Sequence, residues 1–226
     1  MIILRVEKLK KQPSSLNKSV LILLLFLSSL ATSQEKKEQQ LSLKKVGILF
    51  SSAKQNNILF FDKDYDYKTN VYKFQLFYTL RTGVNWDINL IVQPQFQMAQ
   101  HQLLNEQFIT PDEPNYEFLR EKFTQKKDIS LYAFELGFQL RKSLTKNISF
   151  EATLGLGAAY IDLESERLAK GFTFIENVSL GLVYTNKKSE FYLGTTVGHV
   201  SNFNIQKPNS GYNILGFELG YRILIN

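Results

Sequence analysis

The sequence has no cysteine, which excludes a disulfide framework, a thiol nucleophile and any Cys-ligated metal site. It has only two histidines, His101 and His199, and neither falls in zinc-ligand spacing. No glycine-rich phosphate loop and no nucleic-acid-binding motif is present, so neither a cofactor nor a metal is implied. Beyond residue 33 no segment shows a convincing 3.6-residue hydrophobic period. The one long apolar run, VLILLLFLSSL from Val20 to Leu30, is eleven residues long, well short of the about 20 that a helix needs to cross a bilayer.

A basic surface is missing as well, although the net charge of +6 suggests one. The first 33 residues hold five basic side chains (Arg5, Lys8, Lys10, Lys11, Lys18) and one acid, Glu7. Of the 27 bases and 21 acids in the whole chain, 22 and 20 therefore remain, and a nucleic-acid partner loses its electrostatic support. The leader combines a basic start, the apolar run and a small-x-small pattern, ATS, before Gln34. It fits a cleaved secretory signal peptide over residues 1–33 better than a retained anchor, and leaves residues 34–226 as the mature domain.

What the mature part does have is period-two alternation. In VNWDINLIVQPQFQM, Val84 to Met98, every even position is apolar and all the odd positions except Ile91 are polar. The same pattern recurs over Val71–Arg81, Ile129–Arg141, Ile148–Ile161, Phe172–Tyr184, Phe191–Ser201 and Asn213–Ile225. A weaker segment within Leu43–Ser52 makes eight strands. A soluble sandwich alternates too, so periodicity alone does not say whether the apolar face points in or out.

Three features favour outward. Most of these strands exceed ten residues, where about 9–11 tilted residues span a bilayer. Long and short connections alternate, as in outer-membrane barrels. The opposite faces carry Lys73, Gln75, Arg81, Glu135, Gln139, Arg141, Glu151, Glu218 and Arg222 among small glycines, which suits a crowded polar lumen. The expected fold is all-β, an eight-stranded antiparallel transmembrane barrel of the outer-membrane type, with a bulge at Pro94, which cannot donate to the ladder.

In this frame the stretch GHVSNFNIQKPNSGYN, Gly198 to Asn213, is unusual. His199 and Ser201 lie on the lipid-facing side of the seventh strand, near its outer end, and Asn213 points outward at the start of the eighth. Residues i and i+2 of a strand point the same way roughly 6.5–7 Å apart, within reach of an imidazole-to-hydroxyl contact that would activate the serine. The alternative is that these polar residues simply decorate the interfacial rim.

GHVSN followed by PNSG, Pro208 to Gly211, resembles the signature of the lipid A 3-O-deacylases, acyloxyacyl-hydrolase-like outer-membrane barrels. The motif covers about the last thirty residues, and the leader, strand count and C-terminal position agree with it. The resemblance implies an esterase in the cell outer membrane that removes an ester-linked acyl chain from lipid A of lipopolysaccharide, with membrane lipids around it. It implies His199 as general base, Ser201 as nucleophile and Asn202 as an oxyanion or loop-shaping residue. The family's orienting glutamate falls on Asn213, a departure. An amide can hold an imidazole by hydrogen bonding but cannot offset the imidazolium charge.

A carboxylate is available elsewhere. If the TNKKS hairpin turns at Lys187–Lys188, Tyr184 faces Phe191, Val178 faces Val197 and Glu176 faces His199. Glu176 then either supplies the carboxylate that the last strand lacks or is turned into the lumen by a bulge. Two rivals to the deacylase stand beside it: a non-catalytic structural or adhesive barrel, and an outer-membrane phospholipase using the same His-Ser pair. The remaining signals are weak. DKDYDYKTN, from Asp62, lacks the glycine and final glutamate of a calcium loop and reads as a solvated loop, and His101 reads as an exposed loop residue without a partner.

Overall fold

The alternating segments form β1 (Leu43–Lys54), β2 (Tyr65–Thr82), β3 (Trp86–Leu103), β4 (Lys127–Ser143), β5 (Ile148–Ile161), β6 (Gly171–Asn186), β7 (Ser189–Ser201) and β8 (Tyr212–Leu224). The structure is a computed structural model and describes residues 41–55, 59 and 62–225; the expected signal peptide lies outside them. Each strand pairs antiparallel with its neighbour in sequence, and β1 pairs with β8, closing an eight-stranded barrel. Closure leaves no strand edge unpaired, the condition for a sheet to sit in hydrocarbon.

Alternation decides what each face meets. Tyr72, Phe74, Tyr132, Phe134, Leu182 and Leu193 stand exposed on the outside, forming an apolar wall for lipid. The inward set is polar and buried. Glu135 accepts hydrogen bonds from Lys73 Nζ (3.0 Å), Gln93 (2.8 Å), Gln95 (2.6 Å) and Asn177 (3.0 Å). Nearer the short turns, Glu151 binds Arg222 (2.7 Å) and Arg141 (3.3 Å), while Glu190 binds Arg141 (2.7 Å) and Lys45 (3.1 Å). Burying charges costs less when each is paired and hydrogen-bonded, and these are. Gly155 faces Glu135 closely enough that a Cβ there would collide with the carboxylate, so the network requires the missing side chain.

The opposite end of the lumen is aromatic and aliphatic. Tyr65, Tyr67, Leu131, Ile161, Leu168, Ile175, Val200, Tyr212 and Ile214 form one buried cluster there. The strand ends joined by the long connections lie at this end: those of β1 and β2, and those flanking residues 104–126, 162–170 and 202–211. The other end has only 83–85, 144–147 and 187–188 between strands. Short turns on one side and long loops on the other set the long loops outside the cell.

The structure corrects several expectations of the fold. β3 keeps one register through Pro94, which pairs with Phe134. The irregularities fall at Leu43/Lys45 and Thr79/Arg81 instead, because Pro94 projects outward and the loss of one donor is absorbed without inserting a residue. The second of these carries Arg81 out of the lumen to an exposed position. The DKDYDYKTN stretch is largely strand, since Tyr65 and Tyr67 bury their rings at the top of the lumen and pull β2 outward. The loop after β3 contains a 3-10 turn (Glu106–Phe108) and a helix, α1 (Tyr116–Thr124), whose Tyr116, Leu119 and Phe123 pack on Leu103, Phe108 and Ile109.

Candidate hydrolytic site at the outer rim

Strand register brings the candidate residues together. His199 lies directly between two cross-strand partners: Asn213 on β8 and Glu176 on β6. The register read from the TNKKS hairpin is the observed one, from Asn186↔Ser189 through Tyr184↔Phe191 to Glu176↔His199. It is unbroken, so no bulge turns Glu176 inward, and its neighbours Ile175 and Thr173 take the buried positions. Directly opposed side chains have Cβ atoms about 4.5–5.5 Å apart, near enough to interact.

The two partners differ in contact. His199 Nδ1 lies 2.6 Å from Asn213 Oδ1. An amide oxygen only accepts, so the imidazole donates from Nδ1 and the Nε2 lone pair is left free. The Glu176 carboxylate, half-buried on the same wall, makes no hydrogen bond among the described residues. Ser201, two residues beyond His199 on the same face, is buried at the strand end, and its carbonyl accepts from Thr173 Oγ1 at 2.8 Å. No hydrogen bond joins Ser201 Oγ to the imidazole among the described residues; such contacts commonly tighten only when substrate binds. Phe174, paired with Ser201, packs edge-on against exposed Phe172 and Phe203, so the serine lies beside an aromatic, lipid-facing ledge.

The loop 202–211 is shaped by amides. Asn202 N–H donates to Asn209 Oδ1 at 2.7 Å, and Asn202 Nδ2 donates to Gln206 O at 2.8 Å. Both kinds of donor on Asn202 are thus committed within the loop. Asn209, which sequence reasoning passed over except as a letter of PNSG, turns its amide toward the peptide following Ser201. Gly211 has φ +69°, a conformation open to glycine, and a Cβ there would lie 3.0 Å from His199 Cε1 and 3.4 Å from Nε2.

Beneath this loop lies the second histidine. His101 belongs to β3, not to a loop, and is 1% exposed rather than solvated. Its Nε2 is 2.8 Å from Glu166 Oε2, and the rings of Tyr65, Tyr67 and Tyr212 surround it. No local pattern marks this pairing, because Glu166 sits 65 residues away on the β5–β6 loop.

A closed eight-stranded barrel with an apolar exterior, a paired polar interior and long loops at one end is an outer-membrane barrel, and the protein resides in that membrane. The chain belongs to the family described as lipid A 3-O-deacylase (PagL), which matches residues 72–222, and so to a family of hydrolases. No relative was found among curated proteins. Among solved structures, the outer-membrane enzyme PagL is 15% identical over 78% of this chain and 99% of its own, with a TM-score of 0.53. Neisserial surface protein A is 17% identical over 83% and 100%, with a TM-score of 0.45. OprG from Pseudomonas aeruginosa is 12% identical over 83% and 99%, with a TM-score of 0.39.

Proposed function

We propose that the protein hydrolyses an ester-linked acyl chain of lipid A, a 3-O-deacylation carried out on the outer wall of the barrel by Ser201 and His199. The observation that carries this reading is the 2.6 Å contact between His199 Nδ1 and Asn213 Oδ1 beside Ser201, on a lipid-facing wall, in a chain of the deacylase family. That contact leaves Nε2 as the base. As Ser201 Oγ bonds to the ester carbonyl carbon, its proton passes to Nε2. When the tetrahedral adduct collapses, the bond to the sugar oxygen breaks and Nε2–H protonates that oxygen. Water, deprotonated by the same nitrogen, then adds to the acyl carbon; the bond to Ser201 Oγ breaks, Nε2–H returns its proton to Oγ and the fatty acid leaves.

Asn213 holds the tautomer, and Glu176 supplies from the flanking strand the negative charge that an amide lacks. Asn202 shapes the loop. Asn209 is anchored beside the nucleophile by its Oδ1, which accepts the Asn202 N–H, and its Nδ2, without a hydrogen bond among the described residues, is the donor for the oxyanion. The outward placement suits the substrate: acyl chains stay in the outer leaflet beside Phe174 and Phe203 while the ester reaches the wall. We also propose that residues 1–33 direct export and are removed, which the mass of the mature protein tests.

Mass spectrometry of lipid A from cells carrying the wild type or Ser201→Ala tests the reaction. Loss of one acyl chain with the wild type alone is expected. Identical lipid A spectra would leave a non-catalytic barrel, and loss of phospholipid acyl chains instead would make it a phospholipase.

A further inference from the structure

Arg167, on the β5–β6 loop, is 5% exposed and has no place in the reaction above, yet it makes three hydrogen bonds to the loop that carries the site. Its carbonyl accepts from Ser210 N–H (2.7 Å) and from Gly211 N–H (3.0 Å). Its Nε donates back to Gly211 O at 2.9 Å. One peptide segment is therefore held at three points by a single residue. The guanidinium is itself fixed: it donates to Asp62 Oδ2 at 2.6 Å and lies 4.2 Å over the Tyr65 ring and 5.2 Å from that of Phe108. Ser165 Oγ accepts from the N–H groups of Arg167 (3.2 Å) and Leu168 (3.1 Å), which sets the turn presenting the arginine. A bridge between Leu168 and Asn209 ties the two loops again.

What these contacts reach is the imidazole, from both ends. Gly211 stands against the Cε1–Nε2 edge of His199. The hydroxyl of Tyr65, the ring under the guanidinium, accepts the N–H of Asn213 at 3.2 Å, and Asn213 holds Nδ1. We infer that Arg167 is a positioning residue for His199, fixing Nε2 through Gly211 and Nδ1 through Tyr65 and Asn213. The planar fork is needed rather than the charge alone, because Nε and a terminal nitrogen must bond different partners at once. The inference rests on the reading of His199 as the base.

The test uses the full-length barrel with Arg167→Met, which keeps the bulk, and Arg167→Lys, which keeps the charge. Folded fraction is read from heat-modifiable gel mobility. Per folded molecule, kcat on lipid A should fall about 10²-fold in both variants with KM little changed, as expected when a reacting group is misplaced by about 1 Å. A loss of folded barrel alone would leave kcat per folded molecule intact. A second readout does not need activity: diethyl pyrocarbonate modifies accessible imidazole, and since His101 is sealed in the lumen, His199 is the reporting histidine. Its carbethoxylation, followed by peptide mass, should run several-fold faster in both variants as Gly211 leaves the ring edge. Unchanged kcat and unchanged carbethoxylation in folded Arg167→Met would overturn the inference, as would an unimpaired Arg167→Lys. An inactive wild type would sink the deacylase reading instead, and carbethoxylation would then decide the role of Arg167 by itself.

Discussion

Two carboxylates from neighbouring parts of the sheet, Glu135 and Glu176, show how differently the lumen and the rim of this barrel treat charge. Glu135 points inward and receives a lysine and three amides; Glu176 points outward, opposite a histidine, and receives no hydrogen bond among the described residues. A buried charge satisfied from every side stabilises the closed barrel. In the proposed mechanism, the one left unsatisfied beside an imidazole at the lipid boundary answers a charge that appears only during reaction. Substitutions in the lumen should therefore change how much barrel folds, and substitutions at the rim how fast the folded barrel works.

The largest effect should come from the rim. Ser201→Ala should reduce release of fatty acid from lipid A to background, a loss of about 10⁴-fold or more, with heat-modifiable mobility unchanged. Next comes the lumen: Glu135→Ala leaves Lys73 buried without its partner and should destabilise the barrel by about 3–5 kcal/mol in urea titration in lipid vesicles. Activity per folded molecule should survive, and a selective loss of activity would break the division between the two regions.

Asn213→Ala frees Nδ1 and allows the wrong tautomer; kcat should drop about 10²-fold with stability nearly unaltered. Glu176→Gln tests the charge alone. A half-exposed carboxylate near the imidazole is screened, so about 1 kcal/mol, roughly a fivefold fall in kcat, is expected. Full activity in that variant would remove Glu176 from the mechanism. The smallest effect belongs to the exposed pair Lys122–Glu164 at 2.6 Å between two outer loops, where Lys122→Ala should cost under about 1 kcal/mol and leave activity alone.

Sequence and structure agree where the physics is periodic. Alternation located all eight strands, and because register in a hairpin follows from its turn, TNKKS alone was enough to set Glu176 opposite His199. Outward and inward sets followed from the same rule, apart from Arg81, which a bulge carried away. The agreement stops at the loops. Arg167, Glu166 and His101 meet through contacts distant in sequence, with no period to betray them, and the polar strand end around His101 looked like a loop because its neighbours are glutamines. Helix α1 did carry a sign, the spacing of Tyr116, Leu119 and Phe123 after Asn115, but at nine residues it is too short for a periodic signal to stand out. Asn209 was visible only as part of a motif, since its role depends on the loop folding back on Asn202.

We propose that the lipid-facing Ser201 is an activated nucleophile with His199 as its base. Labelling of the folded barrel with a long-chain fluorophosphonate, read by peptide mass, tests it directly. One adduct on Ser201 in the wild type, lost or greatly slowed in His199→Ala, is the predicted result; no adduct, or equal labelling in both, would contradict it.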